Sequence, residues 1–170
     1  IFESILTEKP YPIRTVIAPG TQPTVSTRGT KRVIEALKKL DFYVVVDVTR
    51  TADMDFADIV VPTTTVYESD HPFESRGNWI MARNKVIEPQ GPYKSIYEFF
   101  LDLGVQSGYG KDFWNGSMTA CMDYQLEPFN MTIDQLRKHP TGIFYPSSGG
   151  ERTYEKYERI NQSEVRYETY

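Results

Sequence analysis

The hydrophobic and polar positions along the chain form short apolar runs separated by amphipathic segments. Residues 42–47 and 58–61 each contain a nearly continuous apolar run, and each predicts a strand that is buried on both faces. A β-rich run at residues 14–18 predicts an earlier strand that ends in a glycine-containing turn. Strands of this kind are typical of a parallel sheet that lies between layers of helices.

Four further segments predict helices. Two of them carry apolar side chains three or four residues apart, namely Phe2, Ile5 and Leu6, and then Val33, Ile34, Leu37 and Leu40. The other two begin with a capping box, in which two side chains satisfy backbone N–H groups of the first turn; the pairs are Ser95 with Glu98 and Thr132 with Gln135. The order of strands and helices predicts an α/β domain of three layers with a mainly parallel sheet.

The remaining segments lack a regular apolar period. Residues 67–92 predict an irregular excursion with a small hairpin, and a long aromatic loop is predicted after Gly108. Residues 141–170 are rich in Tyr, Gly, Ser and charged side chains, which predicts an irregular C-terminal linker or tail. We therefore predict one domain at residues 1–140 and a linker or tail at residues 141–170.

Composition narrows the possible functions. The 170 residues fit one domain, and the net charge of -4 without any basic block argues against nucleic-acid binding. One cysteine and two histidines are too few for a zinc cluster, an iron–sulfur cluster or a disulfide framework. No apolar segment approaches the roughly 18 residues of a membrane span, which predicts a soluble chain without membrane insertion. The first residue is Ile and helical spacing begins at once, so we expect a piece of a longer protein.

Two loops follow the predicted strands and carry polar side chains. The loop "APGTQPT" contains Gly20 and Gln22, and the loop "DVTRT" contains Asp47, Thr49 and Thr51. Ligands of open parallel sheets bind outside the carboxyl ends of the strands, and a carboxylate there can accept hydrogen bonds from a ribose diol or from guanine. A nucleotide therefore fits both loops. The alternative is structural: Asp47 caps a turn, Gly20 closes one, and no dinucleotide or P-loop motif is present.

Catalytic groups are less well indicated. His71 lies near Asp70 and Glu74, so it is a candidate general base if the loop brings them together. Cys121 has no neighbouring basic residue that would lower its pKa and make it a nucleophile. We assign no catalytic and no metal-ligating residue within this chain.

A series of phrases, taken in order, points to a known family: "EKPYPIRTVIAPGTQP", "VIEALKKLDFYVVVDVTRTADMDFADIVVP", "YESD", "RGN" and "VIEPQGPYKSIYEFFLDLG". Together they resemble the large catalytic subunit of the molybdopterin oxidoreductases of the dimethyl sulfoxide reductase family. The resemblance covers nearly the whole chain, and residues 33–62 are its most specific part. The phrase "EPQG" weakly favours the polysulfide, thiosulfate and acetylene-hydratase members of the family.

The resemblance implies a place within a larger enzyme. Family members have four domains around molybdenum or tungsten, which is held by two pyranopterin guanine dinucleotides. This chain resembles the third, Rossmann-like domain, which holds the guanosine end of one pterin, and its tail would lead to a C-terminal β-barrel domain outside the chain. The implied cofactor-binding residues are Gly20, Thr21, Gln22, Val46, Asp47, Thr49, Thr51 and Ser69.

Two of these positions, Gln22 and Ser69, and a third position, Ile96, differ from the family pattern. The turn "GTQP" matches G-x-N-P, with Gln22 in place of the usual Asn. Many relatives have Lys where Ser69 stands and Asp where Ile96 stands, and both positions are associated with the cofactor. The chain is therefore expected to hold its nucleotide with fewer charged contacts, or in a different pose.

The resemblance also implies cofactors and partners. The full-length protein is expected to carry bis(molybdopterin guanine dinucleotide) with molybdenum or tungsten, and an iron–sulfur cluster in an N-terminal part outside this chain. No cofactor and no catalysis are expected of the isolated fragment. The expected partners are the remaining domains of the same polypeptide, with an electron-transfer iron–sulfur subunit as a further candidate, in a prokaryotic cytoplasm or periplasm.

Two other functions stay open at this point. One is a non-catalytic scaffold without pterin, as in the iron–sulfur subunit of NADH dehydrogenase. The other is an independent nucleotide-binding or protein-interaction module. The substrate of the full-length protein is not decided by these residues, because one fold supports many reactions.

Overall fold

A computed structural model describes residues 1–145, and its first half is built on a parallel sheet. Strands β1 (Thr15–Pro19), β2 (Phe42–Asp47) and β3 (Ile59–Pro62) lie in the order β1-β2-β3, and both pairings are parallel. In this register Val16 lies opposite Tyr43, and Val45 lies opposite Val60. The predicted α/β fold class with a parallel sheet is confirmed.

Three helices accompany this sheet: α1 (Phe2–Thr7), α2 (Pro23–Ser26) and α3 (Thr30–Lys39). The apolar spacing of α3 places Val33 and Leu37 in a core with Tyr43 and Val45 of β2. Every residue of β2 from Tyr43 onward is buried. Because neighbouring side chains of a strand point to opposite faces, β2 is covered on both faces.

The prediction of burial is wrong for β3. Ile59 and Val60 are 47% and 44% exposed. β3 is the last strand of the three, and within the described residues its outer edge is met only by an isolated bridge between Thr63 and Lys94. An apolar run indicates a strand, but it does not show whether that strand lies at the centre or at the edge of its sheet.

The second half of the described chain contains a small antiparallel sheet and three helices. Strands β4 (Glu74–Arg76), β5 (Trp79–Met81) and β6 (Ile143–Phe144) lie in the order β4-β5-β6. The helices are α4 (Ile96–Gly104), α5 (Met118–Leu126) and α6 (Ile133–Arg137). A second core contains Ile80, Met122, Leu126, Ile133 and Leu136. Both predicted capping boxes are confirmed, and no helix within residues 1–145 is long and apolar enough to cross a membrane.

One prediction for this half is wrong. The predicted aromatic loop after α4 contains two short helical segments, Val105–Tyr109 and Gly110–Gly116, and then α5. The sequence of α5, "MTACMDYQL", has only a weak apolar stripe, so periodicity does not reveal it. In the predicted tail, Ile143–Phe144 pairs with β5, and the other residues of that tail, 146–170, lie outside the described residues.

Gly104 allows Phe113 to pack closely against α4. A Cβ at this position would lie 2.2 Å from Cγ of Phe113. Ala normally stabilises a helix by about 1 kcal/mol relative to Gly, whereas overpacking costs about 1–3 kcal/mol. We expect Gly104→Ala to lower the free energy of unfolding measured in urea. In a Phe113→Ala background the same substitution should cost less, and a stabilised Gly104→Ala single variant would contradict this packing.

Candidate functional site

The first candidate loop lies against the carboxyl end of β2. Gly20 follows β1 with a φ of +56°, and its N–H donates to the carbonyl of Val46 at 2.8 Å. Glycine adopts this left-handed conformation at little cost, which explains its place in the turn. Parallel pairing therefore brings the two predicted loops to one edge of the sheet.

A buried carboxylate connects these two loops. Asp53 lies in the 3₁₀ turn Ala52–Phe56, directly after the second loop, and is 0% exposed. Its two carboxylate oxygens accept hydrogen bonds from the backbone N–H (3.1 Å) and the hydroxyl (2.6 Å) of Thr24, in α2. Burial of the phenol, together with the Asp53 charge, raises the pKa of Tyr43 to about 12. The sequence gives no signal for this pair, because 29 residues separate its members.

Asp47 has one oxygen engaged in the turn. Its Oδ1 accepts hydrogen bonds from the backbone N–H groups of Val48 (2.7 Å) and Thr49 (3.3 Å), so the turn-capping alternative describes that oxygen correctly. Its Oδ2 has no hydrogen bond within residues 1–145. Asp47 also lines a groove of about 420 Å³ together with Val48, Thr49, Arg50, Met54, Asp55, Val60 and Pro62. The groove therefore has a carboxylate, a hydroxyl and a guanidinium among its lining groups.

The other predicted residues of the second loop differ in accessibility. Thr49 is exposed and lines the groove beside Asp47. Thr51 is buried, and its hydroxyl has no hydrogen-bond partner in the described part of the chain. Arg50 pairs with Asp55 at 3.3 Å, and both side chains are mostly exposed. The structure thus brings Asp47 and Thr49 together, and it encloses Thr51.

The remaining predicted residues of the first loop and of β2 lie away from this groove. Thr21 lines a separate apolar cavity of about 250 Å³ beside β1. Gln22 is exposed, and its carbonyl accepts hydrogen bonds from Val25 and Ser26 at the start of α2. Val46 is fully buried, and its carbonyl is used by Gly20. None of these three residues lines the groove that contains Asp47.

Ser69 belongs to a second cavity, of about 180 Å³, at the amino end of α4. It is lined by Thr64, Thr65, Val66, Ser69, His71, Arg83, Ser95, Ile96 and Tyr97. Ser69 is buried and donates its hydroxyl to the carbonyl of His71 at 3.0 Å. Ile96, the first residue of α4, faces the Gly20 turn: its Cδ1 lies 3.5 Å from where a Cβ of Gly20 would be. The second cavity therefore adjoins the first loop.

His71 lies in a buried chain of polar groups. Its Nδ1 is 2.9 Å from Oδ1 of Asp70, and its Nε2 is 2.5 Å from the hydroxyl of Ser95. The predicted partner Glu74 is instead bound to Arg83 at 2.6 Å, so that part of the prediction is wrong. Ser95 is buried and caps α4, so its hydroxyl is not an accessible nucleophile. Among residues 1–145, no three His, Cys, Asp or Glu side chains gather as a metal site would require.

Comparisons with known proteins identify the family of this chain. The family model of the molybdopterin oxidoreductases matches residues 3–105, which is more than half of the chain. The chain belongs to the molybdopterin oxidoreductase family. It is 28% identical over 142 residues to the thiosulfate reductase molybdopterin-containing subunit PhsA of Salmonella typhimurium, covering 81% of this chain and 19% of that protein. It is 35% identical over 101 residues to a dimethyl sulfoxide/trimethylamine N-oxide reductase of Cereibacter sphaeroides, covering 57% and 12%.

A solved structure shows the same fold. The acetylene hydratase from Pelobacter acetylenicus superposes with a TM-score of 0.72 and 24% identity, covering 81% of this chain and 19% of that one. The chain thus spans about one fifth or less of the length of these molybdopterin enzymes. Membership in the family implies a molybdopterin cofactor with its metal.

The hydrogen bonds between Asp53 and Thr24 predict that the two loops of this molybdopterin oxidoreductase chain stabilise one another. Asp53→Ala leaves two buried donors of Thr24 without an acceptor, so we expect a loss of about 3 kcal/mol in the free energy of unfolding. The matched control is Asp55→Ala in the same turn, which removes an exposed side chain and should cost less than about 0.5 kcal/mol. Equal losses of the free energy of unfolding in the two variants, measured in urea, would contradict the role of Asp53 in holding the two loops together.

The Asp70 carboxylate predicts a pH dependence. Burial acts to raise the pKa of Asp70, but the hydrogen bond from His71 and the charge of Arg137 outweigh it and lower that pKa below its usual value of 3.8. A lowered folded-state pKa stabilises the protein above the unfolded value, and this contribution is lost as the pH falls through the folded value. We expect Asp70→Asn to reduce the free energy of unfolding by up to about 1 kcal/mol at pH 7, because the carboxylate is half exposed.

This difference should shrink as the pH falls below about 3.8. Urea unfolding of both proteins between pH 7 and pH 3 measures it. A difference that stays constant over this range would show that the ionised carboxylate is not responsible.

Proposed function

We propose that this chain is the domain of a larger molybdenum- or tungsten-dependent oxidoreductase that holds the guanosine end of one pterin in bis(molybdopterin guanine dinucleotide). The observation that carries the proposal is the groove at the carboxyl edge of the parallel sheet, where Asp47 has one oxygen outside the hydrogen bonds of the turn. Ligands of parallel α/β sheets bind at this edge. The chain itself performs no catalysis.

The groups in the groove fit a nucleoside. A carboxylate accepts hydrogen bonds, and guanine presents an N1–H and an amino group that donate them. Thr49 adds a hydroxyl, and Arg50 adds a guanidinium that suits a phosphate. The volume of about 420 Å³ lies within the usual range of small-ligand pockets, about 300–1,000 Å³. When bound, the cofactor supplies metal-centred redox chemistry, and these residues bind and orient its nucleotide end.

The scaffold alternative is favoured by one observation. Asp47 already has a structural task, because its Oδ1 caps the turn after β2. A chain that had lost its pterin would keep Asp47 for that reason alone. In the cofactor-binding function Oδ2 accepts hydrogen bonds from the nucleoside, whereas the scaffold function needs only Oδ1. A substitution that changes Oδ2 alone therefore distinguishes the two functions.

We also propose which residues form this domain and how it belongs to the complete protein. Residues 1–140, extended by β6 at Ile143–Phe144, form the nucleotide-holding unit, and the remaining domains of the same polypeptide are its partners. An iron–sulfur cluster would lie outside this chain, and an electron-transfer iron–sulfur subunit is a further partner. The substrate is not proposed, because the related proteins include reductases and a hydratase.

The variant Asp47→Asn tests the proposal. The amide oxygen can still accept the N–H groups of Val48 and Thr49, so the turn keeps its cap, whereas a donor replaces Oδ2. In the complete protein we expect at least a fivefold decrease in GMP released per chain by acid hydrolysis, with an unchanged Tm.

The control is Asp41→Asn, which alters an exposed carboxylate outside the groove and should retain its GMP. Asp47→Ala should lose both GMP and stability, because the cap is removed as well. Full GMP release from Asp47→Asn would assign the aspartate to the scaffold function.

A further inference from the structure

A continuous chain of hydrogen bonds runs from α6 through the loop at residues 69–71 to the amino end of α4. Arg137, the last residue of α6, donates to Oδ2 of Asp70 at 3.2 Å and to the carbonyl of Asp70 at 3.3 Å. Asp70 contacts His71, and His71 contacts Ser95, which is 24 residues further along the chain. The His71 side chain is only 7% exposed. Solvent therefore has little access to the centre of this chain of contacts.

His71 lies between two carboxylates and the Ser95 hydroxyl. Its Nδ1 carries a hydrogen that Asp70 accepts, because a carboxylate only accepts. Its Nε2 shares a hydrogen bond with the Ser95 hydroxyl and lies 3.5 Å from Oε2 of Glu98. The Ser95 oxygen also accepts the N–H of Glu98 at 3.2 Å. His71 thus contacts the same oxygen that caps α4.

The capped end of α4 reaches the candidate nucleotide site. Ile96 follows Ser95 directly, and its side chain faces the turn that contains Gly20. Ser69 and His71 line the same cavity as Ile96. A shift of the first turn of α4 would therefore displace both the wall of this cavity and the support of the first loop.

We propose that His71 is a positioning residue for the nucleotide site: through its hydrogen bond with the Ser95 hydroxyl it holds the amino end of α4, and with it Ile96, beside the Gly20 turn. This inference rests on the proposed function, because it assigns His71 a task in retaining the guanosine. His71 does not touch the nucleotide in this scheme. A merely stabilising histidine would instead affect cofactor retention only as far as it lowers the stability of the domain.

The test compares two substitutions of His71 in the complete protein. His71→Gln keeps an acceptor near the position of Nε2, whereas His71→Leu has similar bulk and no acceptor. We expect GMP released per chain to fall at least fivefold in His71→Leu and to stay within twofold of the wild type in His71→Gln. Ser95→Ala should lose at least as much GMP as His71→Leu, because it removes the same contact and the cap of α4, and the double variant should lose no more than Ser95→Ala alone.

A destabilised control separates positioning from stability. Met122→Ala removes a buried side chain of the second core and should lower Tm at least as far as His71→Leu, while retaining its GMP. The positioning task is contradicted if His71→Leu retains its GMP, if His71→Gln loses as much as His71→Leu, or if Met122→Ala loses as much GMP.

The two proposals fail in different ways. A wild-type protein without releasable GMP, or an Asp47→Asn variant with full GMP, overturns the proposed function and the task of His71 with it. Loss of GMP in Asp47→Asn together with full retention in His71→Leu overturns the task of His71 alone.

Discussion

The buried carboxylate of Asp53 is the interaction on which the candidate site depends. It binds the backbone and the hydroxyl of Thr24 and thereby joins the turn after β2 to the helix after β1. Hydrogen bonds to a charged group are stronger than neutral ones, and a buried charge is tolerated only when it is satisfied in this way. Parallel pairing brings the strand ends to one edge, and Asp53 holds the loops together there.

Polar side chains around this edge have several hydrogen-bonding sites, and they do not all serve the same purpose. Asp47 uses Oδ1 to cap a turn, while Oδ2 has no partner within the described residues. Ser95 accepts the N–H of Glu98 and shares a hydrogen bond with His71, so its cap depends on a residue of a different segment. A structural task and a ligand-binding task are therefore compatible in one side chain, because a carboxylate or a hydroxyl has more than one hydrogen-bonding site.

Two of the expected differences from the family pattern, at Ser69 and Ile96, lie around the cavity at the amino end of α4. Ile96 faces the Gly20 turn, and Ser69 donates its hydroxyl to the carbonyl of His71. Neither side chain is charged, so in our proposal the charged groups toward the nucleotide are Asp47 and Arg50. The exposed apolar residues of β3 are consistent with a chain that spans about one fifth of its longer relatives.

The sequence by itself determined the features that arise from local patterns. Continuous apolar runs located the strands, capping boxes located the starts of α4 and α6, and ordered phrases pointed to the family. Only the tertiary structure decided that β3 is an edge strand, that α5 exists, and that Asp53 binds Thr24 and His71 binds Ser95. The physical reason is that these contacts join residues far apart in the chain, and no local spacing of residue types records which distant partner a buried polar group will meet.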